Sequence, residues 1–106
     1  MAKYLIEASY TPEGLRGLLK DKASGRKAAV AQALAAVGGK LEGVYYAFGK
    51  ADVYVLCDCP DNVSAAALSI AVSATGLVRT KTTPLLTVEE ADQALSKTVK
   101  YTAPGA

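Results

Sequence analysis

Tyr45-Tyr46-Ala47-Phe48-Gly49-Lys50-Ala51-Asp52-Val53-Tyr54-Val55-Leu56 is the stretch that decides how this chain folds. Two apolar runs flank a Gly-Lys pair. That pattern predicts a β-hairpin with a two-residue loop in which Gly49 supplies the positive-φ turn position. Such a loop fixes the register: Phe48 faces Ala51, Ala47 faces Asp52, Tyr46 faces Val53 and Tyr45 faces Tyr54. Directly opposed residues share a face of the sheet. One face then carries Tyr46, Phe48, Val53, Val55, Cys57 and Cys59, and reads as core. The other carries Tyr45, Ala47, Asp52, Tyr54, Leu56 and Asp58. It mixes aromatic with acidic groups, so function is expected on that side.

Working outward, Tyr4 to Ala8 reads as a first strand, with Tyr4, Ile6 and Ala8 toward the core and Glu7 away from it. Thr11-Pro12-Glu13 opens a helix: Thr11 suits the N-cap, proline the first helical position, and glutamate the positive helix end. Leu15, Leu18 and Leu19 form its apolar stripe, Gly25 marks a break, and Val30, Ala33, Leu34 and Val37 continue at helical spacing. Gly38-Gly39 ends that helix. The second strand spans about Lys40–Phe48 and the third about Ala51–Cys59, closed by Pro60. Asp61 caps a helix reaching about Thr75, with no charged residue between Asn62 and Gly76. A helix apolar all round is usually buried on more than one side, which suggests a subunit contact there. Leu77–Thr83 reads as a fourth strand ended by Pro84. Thr87-Val88-Glu89-Glu90 is a capping box that starts a last helix to about Lys97. Residues 1–99 read as one domain and 100–106 as a flexible tail.

Composition narrows the function classes. The chain has 106 residues, 51% of them hydrophobic, and a net charge of +2, which is too small to imply nucleic acid or an anionic membrane surface. No apolar stretch of about 20 residues spans a membrane, and the start of the chain lacks the apolar core of a signal peptide. A cytoplasmic location is expected. There is no histidine, so Ser-His-Asp and Cys-His chemistry and haem ligation by histidine are excluded. Cys57 and Cys59 lie two apart on one strand, which is poor disulfide geometry, and they read as small buried hydrophobes. No metal site is expected, because zinc or copper needs more ligands than this pair supplies. No cofactor is expected either, and any acid or base must be a carboxylate, Tyr, Lys or Cys.

The order β-α-β-β-α-β plus a C-terminal helix predicts an α+β, ferredoxin-like antiparallel sheet with its helices on one face. The other face stays open. It is expected to carry Leu5, Glu7, Tyr45, Asp52, Tyr54, Leu56, Leu77, Arg79 and Lys81. So much exposed leucine and tyrosine is too apolar to leave wet, and a second copy packed sheet to sheet would cover it.

These residues resemble the GYD domain family, grouped with the dimeric α/β-barrel superfamily. The resemblance rests on Thr11-Pro12-Glu13-Gly14, Gly38-Gly39-Lys40-Leu41-Glu42-Gly43, Phe48-Gly49-Lys50-Ala51-Asp52, Pro60-Asp61 and Gly76-Leu77-Val78-Arg79-Thr80, taken in order and spacing. The family's name-giving Gly-Tyr-Asp stands here as Gly49-Lys50-Ala51-Asp52, with Ala51 at the tyrosine position and toward the core. The resemblance implies a ferredoxin-like fold and a homodimer built by sheet-on-sheet packing. It implies no activity, and fold alone chooses none.

The candidate site is the polar part of the open face: Glu7, Tyr45, Asp52, Tyr54, Arg79 and Lys81. Arg79 suits a carboxylate or phosphate, the tyrosines suit an aromatic ring, and Asp52 or Tyr54 is the candidate catalytic group. A small aromatic or anionic metabolite between two sheets is the leading function. A cofactor-independent oxygenase or isomerase using the same pocket is the alternative, as is a structural module that forms larger oligomers through the 62–75 helix. A purely structural role for the same residues is the competing account: Arg79 pairs with Glu7 or Asp52, and Asp52 accepts backbone N–H bonds. An RNA-binding sheet does not fit, because the tyrosines oppose each other on a hairpin among acidic groups and the Lys/Arg-Gly-aromatic signature is missing.

Overall fold

Alternation along two neighbouring strands builds the centre of the molecule. The computed structural model describes all residues 1–106. Strands β1 (Ala2–Tyr10) and β3 (Val53–Cys59) run antiparallel with Tyr4 opposite Cys57, Ile6 opposite Val55 and Ala8 opposite Val53. All six side chains are buried. Strands β2 (Lys40–Tyr46) and β4 (Val78–Leu85) flank them, giving one four-stranded antiparallel sheet in the order β2-β3-β1-β4. Helices α1 (Pro12–Ala36) and α2 (Asn62–Ser73) cover one face. Leu34 of α1 and Ala65 and Leu68 of α2 complete the core. The expected ferredoxin-like α+β arrangement is therefore present.

Local chemistry sets each helix start. Thr11 Oγ1 accepts the Gly14 N–H, Asp61 Oδ1 accepts the Ser64 N–H, and the capping box at Thr87 and Glu90 opens α3 (Val88–Ser96). The α1 N-terminus is tied to the strand opposite: the Thr11 N–H donates to the Leu77 carbonyl at 2.9 Å. Side-chain pairs join α2 to β4, with Ser69 against Thr82 at 2.7 Å and Ser73 against Thr80 at 3.0 Å.

Several expectations need correction. The hairpin pairs Tyr46 with Val53 and Tyr45 with Tyr54 as anticipated, but strand pairing ends there. Residues 47–52 form a wider loop held by the Ala47 N–H on the Asp52 carbonyl at 2.8 Å. Gly49 consequently has no positive φ, and Phe48 is fully exposed rather than core. The break in α1 falls at Lys22 (φ 66°, ψ 166°), not Gly25. The first limb of α1 buries only Gly14, leaving Leu15 and Leu19 exposed. Leu77 precedes β4 and does not join the open face. Pro84 lies inside β4, where an edge strand tolerates a residue without an N–H.

At the far end, α3 buries none of its residues. The chain is accordingly extended, with a radius of gyration of 16.8 Å against roughly 13 Å for a compact chain of this length. No helix is long and apolar enough to cross a membrane.

Two predictions follow from this packing. A Cβ on Gly14 would sit 2.0 Å from the Leu77 carbonyl oxygen, whereas one on Gly17 would meet nothing within 4 Å. Urea unfolding should show Gly14→Ala losing at least about 2 kcal/mol, and Gly17→Ala gaining about 0.5–1 kcal/mol from helix propensity. Burial also pushes the Cys57 thiol up to about 12, with Cys59 raised as well. The folded state then holds protons that the unfolded chain releases, so this contribution is full below pH 9 and is lost as pH climbs toward 12. Stability should fall at a limiting slope of about 1.4 kcal/mol per pH unit for each such group. A flat profile between pH 9 and 11 in chemical denaturation would contradict it.

Candidate functional site

The face of the sheet opposite the helices is ordered by the same register. Tyr45 on β2 lies opposite Tyr54 on β3, Tyr54 opposite Glu7 on β1, and Glu7 opposite Lys81 on β4. These four form one row across the entire sheet. The next row is Gly43, Leu56, Leu5 and Thr83. With no side chain on Gly43, the Tyr45 ring lies over that backbone: a Cβ there would be 3.2 Å from Tyr45 Cε2. Half-buried Leu5 and Leu56 make an apolar centre beside the polar row.

At one end of this face, Asp52 and Arg79 occupy the positions beyond the row. Asp52 Oδ2 accepts the Tyr10 N–H at 2.8 Å, while the Asp52 N–H donates to the Ala8 carbonyl at 2.9 Å. Asp52 therefore closes the β1–β3 ladder where strand pairing stops. Arg79 lies opposite Ser9 and is exposed, as is Lys81. Neither pairs with Glu7 or Asp52, since the four ion pairs of the chain lie elsewhere. Of the structural roles expected for these residues, the bond from backbone to Asp52 is present and the Arg79 ion pair is not.

At the other end, Lys3 binds Glu42 and, at 3.1 Å, Asp58. Hydrogen bonds to Glu42 first and Asp58 second raise the Lys3 ammonium above its ordinary value. This trio follows from a β-bulge: Leu41 pairs with Cys57 but Gly43 with Leu56, so the ladder slips between them. Leu41 and Val44, three apart, both pack against the core. The signal was the glycine inside a strand, a common mark of a bulge.

On the helix side, Tyr10, Tyr46 and Arg26 come together at the edge of the space between α1 and the sheet. Burial and the neighbouring Tyr10 hydroxyl push the Tyr46 phenol up to about 12, against the opposing pull of Arg26. Sequence parity placed Tyr46 toward the core, whereas Arg26, in the interrupted basic stretch 20–27, reads from sequence as part of a solvated helix face. It instead lines this space from the limb of α1 that follows the break at Lys22. No three carboxylates and thiols gather as a metal-binding set.

A four-stranded antiparallel sheet, helices on one face and an ordered polar row on the other define a ferredoxin-like domain with an open sheet. The chain belongs to the GYD domain family, whose model matches residues 4–95. Comparison with curated proteins gives no match, and comparison with solved structures gives none. Ala51, at the family's tyrosine position, is buried beside Asp52, as its place in the hairpin implied.

The bond from Tyr10 to Asp52 yields a prediction. Asp52→Ala should lose about 1–3 kcal/mol, because it leaves the Tyr10 N–H without its charged acceptor. Asp52→Asn keeps an acceptor oxygen and should lose less. Equal stabilities of wild type and Asp52→Ala in urea unfolding would show that this bond does not close the ladder.

Proposed function

We propose that this protein is a homodimeric binding module whose open sheets pack face to face around a small aromatic or anionic metabolite. The single observation that carries this reading is the row Tyr45–Tyr54–Glu7–Lys81, registered across all four strands on a face that no helix covers. A second sheet laid on Leu5 and Leu56 buries apolar surface that a lone chain leaves in water. The polar row at the rim then lines the space between the sheets. Lys81 and Arg79 supply cations free of ion pairs, suited to a carboxylate or phosphate. Tyr45 and Tyr54 supply flat apolar faces for a ring. Sites of this kind are largely apolar, with a few converging polar groups.

A cofactor-independent enzyme is the second reading, with Asp52 or Tyr54 as the reacting group. Tyr10 already occupies one Asp52 oxygen, which favours Tyr54. Further assembly through α2 is a third reading, supported by the exposure of Val63 and Ile70. Leu68 belongs to the core and is not available for such a contact.

Native mass spectrometry of protein purified from its own host tests the proposal. The expected result is a dimer carrying an added small mass, and a monomer without that mass for Leu5→Asp. A monomeric wild type, or a Leu5→Asp chain that stays dimeric, would overturn the sheet-to-sheet interface. A clean dimer would overturn tight metabolite binding, and masses above the dimer would point to α2.

A further inference from the structure

Helices α1 and α2 leave a cleft between them, on the opposite side of the sheet from the proposed interface. A cavity of about 100 Å³ lies at its base. Val53 and Val55 form part of the floor, Val30 and Ala33 a wall from α1, and Leu68 and Val72 a wall from α2. A second hollow of about 320 Å³ adjoins it beneath the first limb of α1 and shares Tyr10, Arg26 and Val72 with it. The inner cavity is apolar, and no buried side-chain polar atom in the chain lacks a partner. Nothing in it calls for an ordered water, which needs two or more polar partners.

The mouth of the cleft has a different chemistry. Arg26 is the one charged side chain that lines the inner cavity. Its ion pair with Asp21 is a single contact at 3.5 Å, so most of the guanidinium's five donors remain available in a geometry suited to carboxylate. The hydroxyl-bearing rings of Tyr10 and Tyr46 line the same cavity. With its phenol held at about 12, Tyr46 is a proton donor at any ordinary pH. The limb of α1 that carries Arg26, Val30 and Ala33 begins just after Lys22. That lysine sits in a positive-φ conformation normally reserved for glycine, so the wall of the cleft hangs from a strained joint.

We propose that the cleft between α1 and α2 is a second binding site, for a small carboxylic acid bearing one apolar ring: the ring fills the cavity and the carboxylate meets Arg26 at the mouth. Charge complementarity sets the acid, and volume sets the single ring: the inner cavity is smaller than the roughly 150 Å³ that holds benzene, so it takes one ring at most, seated where it opens into the adjoining hollow. This site is independent of the proposed dimer, because it lies on the other face of the sheet and is built from one chain.

Phenylacetate is the probe, titrated while the methyl resonances of valine and leucine are followed by NMR. The expected result is saturable shifts at Val30, Leu68 and Val72, with little change at Leu5 and Leu56. Arg26→Gln should weaken binding at least tenfold while leaving the melting temperature of the unliganded protein within about 2 °C. Benzyl alcohol, which has the ring without the charge, should bind at least tenfold more weakly than phenylacetate. Ala33→Leu fills the cavity and should abolish the shifts, with Val72→Phe as a second filling variant if the first does not fold. No shifts at 10 mM phenylacetate, shifts confined to the open face, or shifts that survive a filling variant would overturn the site. Equal binding of the alcohol would overturn the role of Arg26. Shifts at these methyls that depend on protein concentration alone would show that the cleft holds a segment of another copy instead.

Discussion

The pairing of β1 with β3 is the constraint on which everything else rests. Tyr4 with Cys57, Ile6 with Val55 and Ala8 with Val53 are opposed and buried on one face. Because side chains alternate, the same register sends Lys3 with Asp58, Leu5 with Leu56 and Glu7 with Tyr54 to the other. A slip of one residue would exchange the two sets and place two carboxylates and a lysine against the helices. The core thus specifies the composition of the open face, and the polar row across it is a by-product of that parity. Asp52 holds the register at the loop end by accepting the Tyr10 N–H, and Lys3 ties it at the other end by bridging Glu42 and Asp58.

The two faces of the sheet consequently offer two kinds of space. The open face is broad, with an apolar centre and polar ends, and it becomes a cavity only when a second surface meets it. The helix face encloses a smaller hollow within one chain. That hollow exists because α1 breaks at Lys22 and its first limb buries only Gly14. Ser69 and Ser73 hold α2 to the outer edge of the sheet through Thr82 and Thr80, so α2 does not slide inward to fill the gap. Small residues such as Ala29 and Ala33, where larger ones would close the space, leave it open.

Much of this arrangement was legible in the residues themselves. The alternation of Tyr4, Ile6 and Ala8 and of Val53, Val55, Cys57 and Cys59 gave both faces, because period-two burial is a direct statement about a two-sided sheet. Thr11, Asp61 and the Thr87/Glu90 pair marked helix starts that hydrogen-bonding geometry then required. The turn was misread although its register was right: pairing Tyr46 with Val53 constrains parity, and both a two-residue loop and the wider 47–52 loop satisfy it. Phe48 followed the misread turn out of the core and into solvent. The position of the break in α1 was not legible, since Gly25 is the residue that tolerates the required φ and Lys22 is the residue that adopts it. Arg26 reads as a solvated residue in a scattered basic stretch, and its place in the cleft depends on the course of α1 after that break, which the residues do not announce.

Hydroxyl-radical footprinting across a dilution series tests most directly whether the open face is a covered surface. Tyr54, Leu5 and Leu56 should be protected at high protein concentration and become labelled together on dilution, while exposed Leu95 on α3 is labelled throughout. Labelling of Tyr54, Leu5 and Leu56 at one unchanging high rate at every concentration would show that this face meets water in the working protein, and would contradict the account.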